Sequence, residues 1–295
     1  MTAVQHELPA ATVRSADVPS ARRRSGRERL IGRGLTYLAA TLLALFILAP
    51  IYLIGVAAFT PREDAFNYPR SVIPEAMSTD TVTFFLGASG VMDAFWRSVI
   101  VALITLGLSL LIGAPAGYAV ARYAFRGRSA YRLVILSTRA FPIVILAIPL
   151  AVTYRLWGIN DTVIGVALMH TALALPFTVL ITSSVFVSVP RELEEAAQTL
   201  GCNPLQAFLR ISLPLTLPGL AAAAIFTWVL SWNDVFAAVI LTLQNPTLPA
   251  KILTALTQSP IYYQFAAGFV MLVPSLVVIF FIRRYLLGLW GRVVK

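Results

Sequence analysis

The run VIGVALMHTALALPFTVLITSSVFVS, residues 163–188, contains no Asp, Glu, Lys or Arg at any position. A helix that crosses the hydrocarbon core of a bilayer needs about 20 consecutive, predominantly apolar residues. This run exceeds that length, and its polar members are only Ser, Thr and one histidine, His170. It therefore predicts a membrane-spanning helix.

Five further apolar runs of comparable length accompany it. The six candidate spans cover residues 35–60, 97–121, 133–154, 163–188, 214–242 and 264–287. The third contains Arg139, and an arginine at the centre of a span costs about 2.5 to 3.5 kcal/mol. Each Leu, Ile, Val or Phe in that run returns about 0.3 to 0.6 kcal/mol, so the sum favours insertion. We predict an all-α integral membrane protein with six transmembrane helices.

The composition excludes several classes of protein. Hydrophobic residues make up 58% of the 295 residues and charged residues only 12%, about half the share that is usual in soluble domains. One cysteine excludes an intrachain disulfide, and two histidines exclude a multi-histidine metal site. A Gly-x-x-x-x-Gly-Lys-Ser/Thr phosphate loop is absent, since Lys251 and Lys295 are the only lysines. We expect no enzyme activity, no metal and no cofactor in this chain.

Basic residues are distributed unevenly along the chain. With the N-terminus inside, seventeen of the 23 Lys and Arg residues fall in the two termini, the second-to-third loop and the fourth-to-fifth loop. Because basic residues are retained on the cytoplasmic side, both termini are predicted to be cytoplasmic. Residues 1–34 are expected to form a disordered basic tail and residues 35–295 the transmembrane domain. The net charge of +10 reflects this topology, and no nucleic-acid partner is expected.

The fourth-to-fifth loop, residues 190–214, encodes two short helices. Pro190 suits the first position of the first helix, and the acidic residues Glu192, Glu194 and Glu195 favour its positive N-terminal end. Gly201 can end this helix in the left-handed conformation. The predicted apolar stripe of the helix comprises Leu193, Ala196, Ala197 and Leu200. This stripe either packs under its own bundle or binds another protein, as in helix-in-groove recognition.

The second short helix has capping signals of its own. Asn203 offers an N-cap, Pro204 a first helical position, and Gln206 the third-position partner of a capping box. Pro214 is predicted to mark the end of this helix. Two capped helices in one loop indicate an ordered cytoplasmic element and not a simple connection.

The order of residues in this loop resembles a known family. Glu-Ala-Ala at 195–197, three residues, Gly201, nine residues, and then Ile-x-Leu-Pro at 211–214 resembles the EAA loop of type I ABC-importer permeases. The Tyr-Ala-Val-Ala-Arg-Tyr-Ala-Phe-Arg-Gly stretch at 118–127 and Ser-Trp-Asn-Asp at 231–234 resemble the carbohydrate branch of that family, similar to maltose and trehalose permeases.

The resemblance implies a type I ABC-importer permease fold with a cytoplasmic coupling helix. In such permeases this helix docks into the cytoplasmic ATPase. The residues expected to carry the docking role here are Glu192, Glu195, Ala196, Ala197, Gly201, Leu213 and Pro214. Glu195 resembles the acidic docking residue of the family, and Gly201 resembles its turn.

The resemblance also implies partners, a location and a solute. The expected partners are a cytoplasmic ABC ATPase dimer that binds ATP and Mg, a second, different permease subunit, and an extracytoplasmic solute-binding protein. The expected location is the bacterial plasma (inner) membrane. The expected solute is a sugar or a sugar-like molecule, with glycerol phosphate, a polyol or a polyamine as alternatives. A self-contained secondary transporter would show inverted repeats and paired membrane carboxylates, and neither is visible in the sequence.

Four polar residues inside the predicted spans are candidates for the translocation pathway: Arg139, His170, Asn233 and Asp234. An unpaired carboxylate within a span is unfavourable, so Asp234 is expected in a cavity, at a span end, or beside a partner such as Arg139. His170 makes either a helix-helix hydrogen bond or a proton relay. The sequence leaves these roles open.

Overall fold

A computed structural model describes residues 26–66, 72–74, 76–140, 142–256 and 259–290 of the chain. All regular secondary structure in this described part is helical. The α-helices, in chain order, are α1 (Gly26–Phe59), α2 (Asp80–Gly87), α3 (Val91–Arg122), α4 (Arg128–Ser137), α5 (Ile143–Leu156), α6 (Val163–Val187), α7 (Arg191–Thr199), α8 (Pro204–Ala207), α9 (Leu213–Asn233), α10 (Phe236–Leu241), α11 (Leu248–Leu256) and α12 (Ile261–Trp290). The shorter elements are two 3-10 turns, Asp64–Phe66 and Thr138–Ala140, and one π-helical turn, Phe208–Ser212.

The chain divides into two compact units, Met1–Ile51 and Tyr52–Lys295. In the first unit α1 begins at Gly26, inside the stretch predicted to be a disordered tail. Arg and Leu are good helix formers, and they let the first helix begin before the apolar run does. Residues 1–25 of the predicted tail lie outside the described residues. Every site discussed below belongs to the second unit.

Five of the described helices are long and apolar enough to cross a membrane. They are Gly32–Phe59, Val91–Arg122, Val163–Val187, Pro204–Asn233 and Ile261–Arg283. These helices correspond to the first, second, fourth, fifth and sixth predicted spans. The fifth helix begins at Pro204 and ends at Asn233, so residues 234–242 of the predicted fifth span lie outside it and include the separate helix α10. Length and composition alone therefore predicted five long apolar helices, one of them with displaced bounds.

The third predicted span, residues 133–154, is not one continuous helix. It is divided between the end of α4 and the 14-residue helix α5, with the 3-10 turn Thr138–Ala140 between them. Pro142 precedes α5 with an extended backbone (ψ 131°). Proline has no N–H to donate and its ring disfavours a helical residue before it, which explains the break. The backbone of Arg139 lies in the 3-10 turn, and its side chain lies outside the described residues.

Helices α3, α6 and α9 pack against one another and form the centre of the second unit. Thr182 Oγ1 of α6 donates a hydrogen bond to the carbonyl oxygen of Gly113 in α3, over 3.0 Å. A Cβ placed on Gly117 would lie 2.8 Å from the backbone nitrogen of Ser183. The two glycines, four residues apart, thus let the backbones of α3 and α6 approach closely, as small residues do in membrane helix pairs.

Helix α12 is attached to the other side of α9 through tryptophan. Trp232 is fully buried, stacks on Trp228 with ring centroids 5.7 Å apart, and donates its indole N–H to the carbonyl oxygen of Met271 over 2.9 Å. Tryptophan combines a large apolar surface with one donor, so this bond satisfies a polar group that lipid would leave unpaired. Helix α9 therefore lies between α6 and α12.

Asp161 holds together two connections outside the spanning helices. Its backbone adopts the left-handed region (φ 58°), and its carboxylate accepts backbone N–H bonds from Leu243, Gln244 and Asn245. Burial acts to raise the pKa of Asp161, but these hydrogen bonds outweigh it and hold the pKa below its ordinary value. The stabilisation is therefore present above the ordinary pKa and is lost as the pH falls through the lowered pKa.

Replacement of Gly117 by alanine tests the close approach of α3 and α6. The added Cβ would contact Thr182 and the backbone nitrogen of Ser183. Overpacking of this kind destabilises a core by about 1 to 3 kcal/mol. We expect Gly117→Ala to lower the melting temperature of the detergent-solubilised chain.

Gly107→Ala is the matched control, because an added Cβ there meets nothing within 4 Å. In the same helix α3 it exchanges a glycine for a better helix former, and we expect an unchanged or slightly higher melting temperature. Equal melting temperatures for the two variants would contradict close packing at Gly117.

Candidate coupling site

Helix α7 has well-defined ends. Pro190 is the N-cap and not the first helical residue, so α7 begins one residue later than predicted. Gly201 follows the C-terminus of α7 with φ +93°. The N–H of Cys202 donates to the carbonyl oxygen of Ala197 and the N–H of Gly201 to that of Gln198, both over 3.0 Å. This pair of bonds is the Schellman motif, in which glycine is favoured because its backbone adopts positive φ without strain. The predicted left-handed end at Gly201 is confirmed.

The capping box before α8 is also confirmed. Asn203 Oδ1 accepts from the backbone N–H of Gln206 over 2.8 Å, and Gln206 Oε1 accepts from the backbone N–H of Asn203 over 3.0 Å. Pro204 occupies the first helical positions, as predicted. The start of this helix is therefore set by local backbone chemistry.

The predicted end of this helix at Pro214 is wrong. Helix α8 continues through the π-helical turn into α9, and Pro214 lies in the first turn of α9. The N–H of Leu213 donates to the carbonyl oxygen of Phe208, which widens the helix by one residue. Proline is tolerated in a first turn, where its missing N–H is not needed, so the chain passes Pro214 without a break. The loop and the fifth span are one helix, Pro204–Asn233.

The predicted apolar stripe of α7 divides between two faces. Ala197 is buried in the bundle, whereas Leu193, Ala196 and Leu200 are exposed, and Leu200 is 87% exposed. Leu205 and Leu209, on the following helical turns, are exposed as well. Within the part of the chain that the structure describes, this apolar surface is uncovered. The sequence left two roles open for the stripe, packing under its own bundle or binding another protein. The exposed side chains of Leu193, Ala196 and Leu200 fit the second role.

The predicted docking residues lie in α7, in the turn that follows it, and in the first turn of α9. Those exposed to solvent are Glu192, Glu195, Ala196, Gly201 and Pro214. Leu213 is half-buried and packs against the aromatic cluster of Tyr118, Phe186 and Phe208. Most of the residues predicted to dock are therefore exposed to solvent, whereas Ala197 is buried and Leu213 is half-buried.

Glu194 points in the opposite direction and is only 6% exposed. Its carboxylate accepts hydrogen bonds from Tyr118 Oη over 2.8 Å, from Arg122 Nε over 2.7 Å, and from Ser212 Oγ. Arg122 also donates to the carbonyl oxygen of Val189 over 2.9 Å. The first two donors belong to α3 and Ser212 to the π-helical turn. A single carboxylate thus joins α7 to two membrane-spanning helices.

Sequence reasoning missed this role of Glu194. The available signal was helical spacing, because Glu194 and Ala197 are three residues apart and share the inward face of α7. The acidic residues near Pro190 were instead attributed to the helix dipole. Charge-assisted hydrogen bonds from three donors offset the cost of burying the carboxylate.

A second buried polar cluster lies at the opposite end of α9. His170 of α6 is 1% exposed, with Nδ1 2.9 Å from Ser231 Oγ and Nε2 3.1 Å from Asp234 Oδ2. Ser231 Oγ donates to Thr105 Oγ1 of α3 over 3.4 Å. His170 therefore makes the helix-helix contact that was one of its two predicted roles.

Asp234 follows the last residue of α9 and also holds the helix after it. Its Oδ2 accepts from the backbone N–H groups of Ala237 and Ala238 at the start of α10. Asp234 therefore lies at the end of a span and beside a partner, which are two of the three predicted environments. The partner is His170; the predicted pairing with Arg139 involves a side chain that lies outside the described residues. Asn233 is exposed and donates to the carbonyl oxygen of Val229 in its own helix.

Helices of membrane-spanning length and a capped helical loop whose apolar face points outward fit the transmembrane subunit of a transport system. The chain belongs to the family of binding-protein-dependent transport system inner membrane components, and the match covers residues 109–287. It is a permease subunit of an ABC importer, a multi-pass inner-membrane transport component and not an enzyme.

Several relatives of known type align with most of the chain. The trehalose transport system permease protein of Mycobacterium tuberculosis is 32% identical, over 89% of this chain and 98% of that protein. A diacetylchitobiose uptake system permease protein of Streptomyces coelicolor is 30% identical, over 83% of each chain. The alpha-glucoside transport system permease protein of Rhizobium meliloti is 30% identical, over 75% of this chain and 61% of that protein.

Solved structures show the same fold. A chain of a bacterial ABC transporter involved in the import of the acidic polysaccharide alginate matches with a TM-score of 0.67 at 20% identity, over 88% of this chain and 98% of that chain. A chain of an inward-facing methionine ABC transporter matches with a TM-score of 0.56 at 20% identity, over 70% and 97%. The second unit therefore has the type I ABC-importer permease fold.

Removal of the Glu194 carboxylate tests the buried cluster. Glu194→Ala would leave the guanidinium of Arg122 buried without its counter-charge, and breaking a buried ion pair costs about 3 to 5 kcal/mol. We expect the free energy of unfolding in detergent to fall by this order. Glu192→Ala, an exposed carboxylate on the same helix, should change it by less than about 0.5 kcal/mol.

A double replacement separates charge burial from loss of packing. Replacing Arg122 and Glu194 together by leucine removes both charges and keeps apolar volume, and such exchanges are often neutral. We expect the double variant to be more stable than Glu194→Leu alone, which has the same side chain at position 194 but leaves Arg122 without its counter-charge. A double variant no more stable than the single one would show that the ion pair is not the cause.

Proposed function

We propose that this permease couples ATP hydrolysis to solute import by docking α7 into a cytoplasmic ATPase subunit. The observation that carries the proposal is the uncovered apolar surface of Leu193, Ala196 and Leu200 beside the exposed carboxylate of Glu195. An amphipathic helix that offers small and apolar residues at these spacings suits a groove on a partner protein. The ATP and Mg bind to that partner, which supplies the energy.

The buried cluster gives a route for the motion. Helix α7 is fixed to α3 and to the π-helical turn through Glu194, and that turn continues directly into α9. A displacement of α7 by a closing ATPase dimer would therefore move α9 with it. At its far end, α9 is attached to α3 and α6 through Ser231 and to α6 through Asp234. These contacts support α9 as the element that transmits the movement across the membrane.

For the transported solute, we propose a sugar or a sugar-like molecule. The relatives at 30% to 32% identity are named for trehalose, diacetylchitobiose and alpha-glucoside transport. Within this chain Asn233 is the candidate for a contact to the solute, since its side chain is exposed at the end of α9. His170 and Asp234 are occupied with each other, so they act by holding the helices around the pathway. Glycerol phosphate, a polyol or a polyamine would be the solute if sugars fail.

We further propose that the complete importer contains a second, different permease subunit, an ATPase dimer and an extracytoplasmic solute-binding protein. In this arrangement both termini and α7 face the cytoplasm. The basic residues Arg122, Arg128 and Arg191 support this orientation, because they cluster at the same end of the bundle as α7 and basic residues are retained inside.

Purification of the tagged chain from its native membranes tests the assembly and the solute together. We expect an ABC ATPase, a second permease and a solute-binding protein to co-purify. Trehalose, diacetylchitobiose and an alpha-glucoside are then added one at a time to the reconstituted complex, and ATP hydrolysis is measured. One of the sugars should stimulate hydrolysis, whereas glycerol phosphate and spermidine should not. A lone chain that still supports uptake would contradict the coupling role of α7.

Glu195→Ala tests the docking surface directly. Loss of a charged contact at the centre of an interface weakens binding by roughly tenfold or more. We expect less ATPase retained on the immobilised permease and slower solute uptake, with membrane insertion unchanged. Glu63→Ala removes an exposed carboxylate from the opposite side of the membrane and should leave both measurements unchanged. Normal uptake by Glu195→Ala would exclude the docking role.

A further inference from the structure

A cleft of about 490 Å³ opens at the N-terminal end of α7. It lies between the end of α3, the start of α4, and the junction of α6 and α7. Among the described residues, the lining includes three arginines, Arg122, Arg128 and Arg191, and one acidic residue, Glu192. The lining therefore carries an excess of positive charge.

Two of these arginines make hydrogen bonds to backbone oxygens and form no ion pair among the described residues. The carboxylate of Glu194 neutralises Arg122. By contrast, the bonds that the structure gives to Arg128 and Arg191 are made to the carbonyl oxygens of Ala121 and Arg122. The Nε atom of Arg128 is buried and lacks a hydrogen-bond partner among the described residues. No described carboxylate pairs with Arg128, so its positive charge is available to an anion in the cleft.

Two helix N-termini border the same cleft. Helix α4 begins at Arg128 and helix α7 at Arg191, and neither N-cap makes a side-chain hydrogen bond. The positive end of each helix dipole favours an anion at these two N-termini. Guanidinium groups match the oxygen atoms of a phosphate especially well. The cleft thus combines three features of a phosphate site.

Apolar surface next to the cleft indicates the source of the phosphate. Leu133 and Val134 of α4 are more than half exposed, and so is Val187, which lines the cleft itself. A phospholipid carries acyl chains that would lie along these side chains while its phosphate is in the cleft, and a soluble phosphate has none. Basic pockets between membrane helices on the cytoplasmic side suit anionic lipid headgroups.

We propose that this cleft binds the phosphate of an anionic phospholipid of the cytoplasmic leaflet, with Arg128 and Arg191 as the principal ligands. The assignment to that leaflet rests on the orientation given under the proposed function. A phospholipid bound there would lie against Arg122 and thus support the contact between α3 and Glu194 of α7. Lipid composition would then affect how firmly the coupling helix is held.

Native mass spectrometry of the full chain, released from detergent, tests the proposal. Equal amounts of phosphatidylglycerol and phosphatidylcholine are added to the wild type, to a cleft variant, Arg128→Gln with Arg191→Gln, and to a control, Arg126→Gln with Arg132→Gln. The control removes the same charge from basic residues at this end of the bundle that do not line the cleft. We expect the wild type and the control to retain about tenfold more phosphatidylglycerol than phosphatidylcholine. The cleft variant should retain the two lipids equally.

Equal retention of the two lipids by the wild type overturns the proposal, and this arm does not depend on how well the variants fold. A cleft variant that keeps its preference overturns it as well. Inorganic phosphate and glycerol phosphate form a further arm; displacement of phosphatidylglycerol by either at matched concentration would assign the cleft to a soluble phosphate and exclude the lipid. Since retention is read on the isolated chain, without ATPase or solute, a wrong transport assignment would change uptake and leave these results intact.

Discussion

The buried carboxylate of Glu194 connects the surface of this permease to its membrane-spanning bundle. A carboxylate removed from water needs donors, and here they come from two separate elements, Tyr118 and Arg122 of α3 and Ser212 of the π-helical turn. Since these donors lie in helices that cross the membrane, α7 is fixed to them, and its opposite face is free to present apolar side chains outward. The inward and outward roles of α7 follow from placing one charge on one side of a short helix.

Helix α9 gains its position from polar contacts at both ends. Ser212, just before its first residue, reaches Glu194, while Ser231 and Asp234 at its other end reach His170 of α6. Hydrogen bonds across apolar helices have no competition from water, and they fix the rotation of each helix relative to its neighbours. Close packing of α3 on α6 fills the space between the two clusters. The arrangement holds a central helix that is continuous with the loop carrying α7.

Basic residues at the end of the bundle that carries α7 have more than one task. As a group they are the basis of the proposed orientation, which requires only that they be numerous on that side. Individually they differ, because Arg122 is bound to the Glu194 carboxylate, whereas Arg128 and Arg191 are bound to backbone carbonyl oxygens and border an open cleft. The number of basic residues on that side can be counted from the sequence. Which arginine is bound to a carboxylate and which to a backbone oxygen is known only from the positions of their partners.

The sequence by itself determined the features that depend on neighbouring residues. Span length, the left-handed end at Gly201 and the capping box of Asn203 follow from local composition and backbone preference. They agree with the structure except that Pro142 breaks the third span and that the fifth span begins and ends earlier than predicted. The tertiary structure decided that the helix passes Pro214, that Glu194 points inward, and that His170 pairs with Asp234. Arg122 and Glu194 are 72 positions apart, and His170 and Asp234 are 64 apart. Such pairs form only when packing of several helices removes both partners from water, and no periodicity within one helix encodes which distant helix will supply the partner.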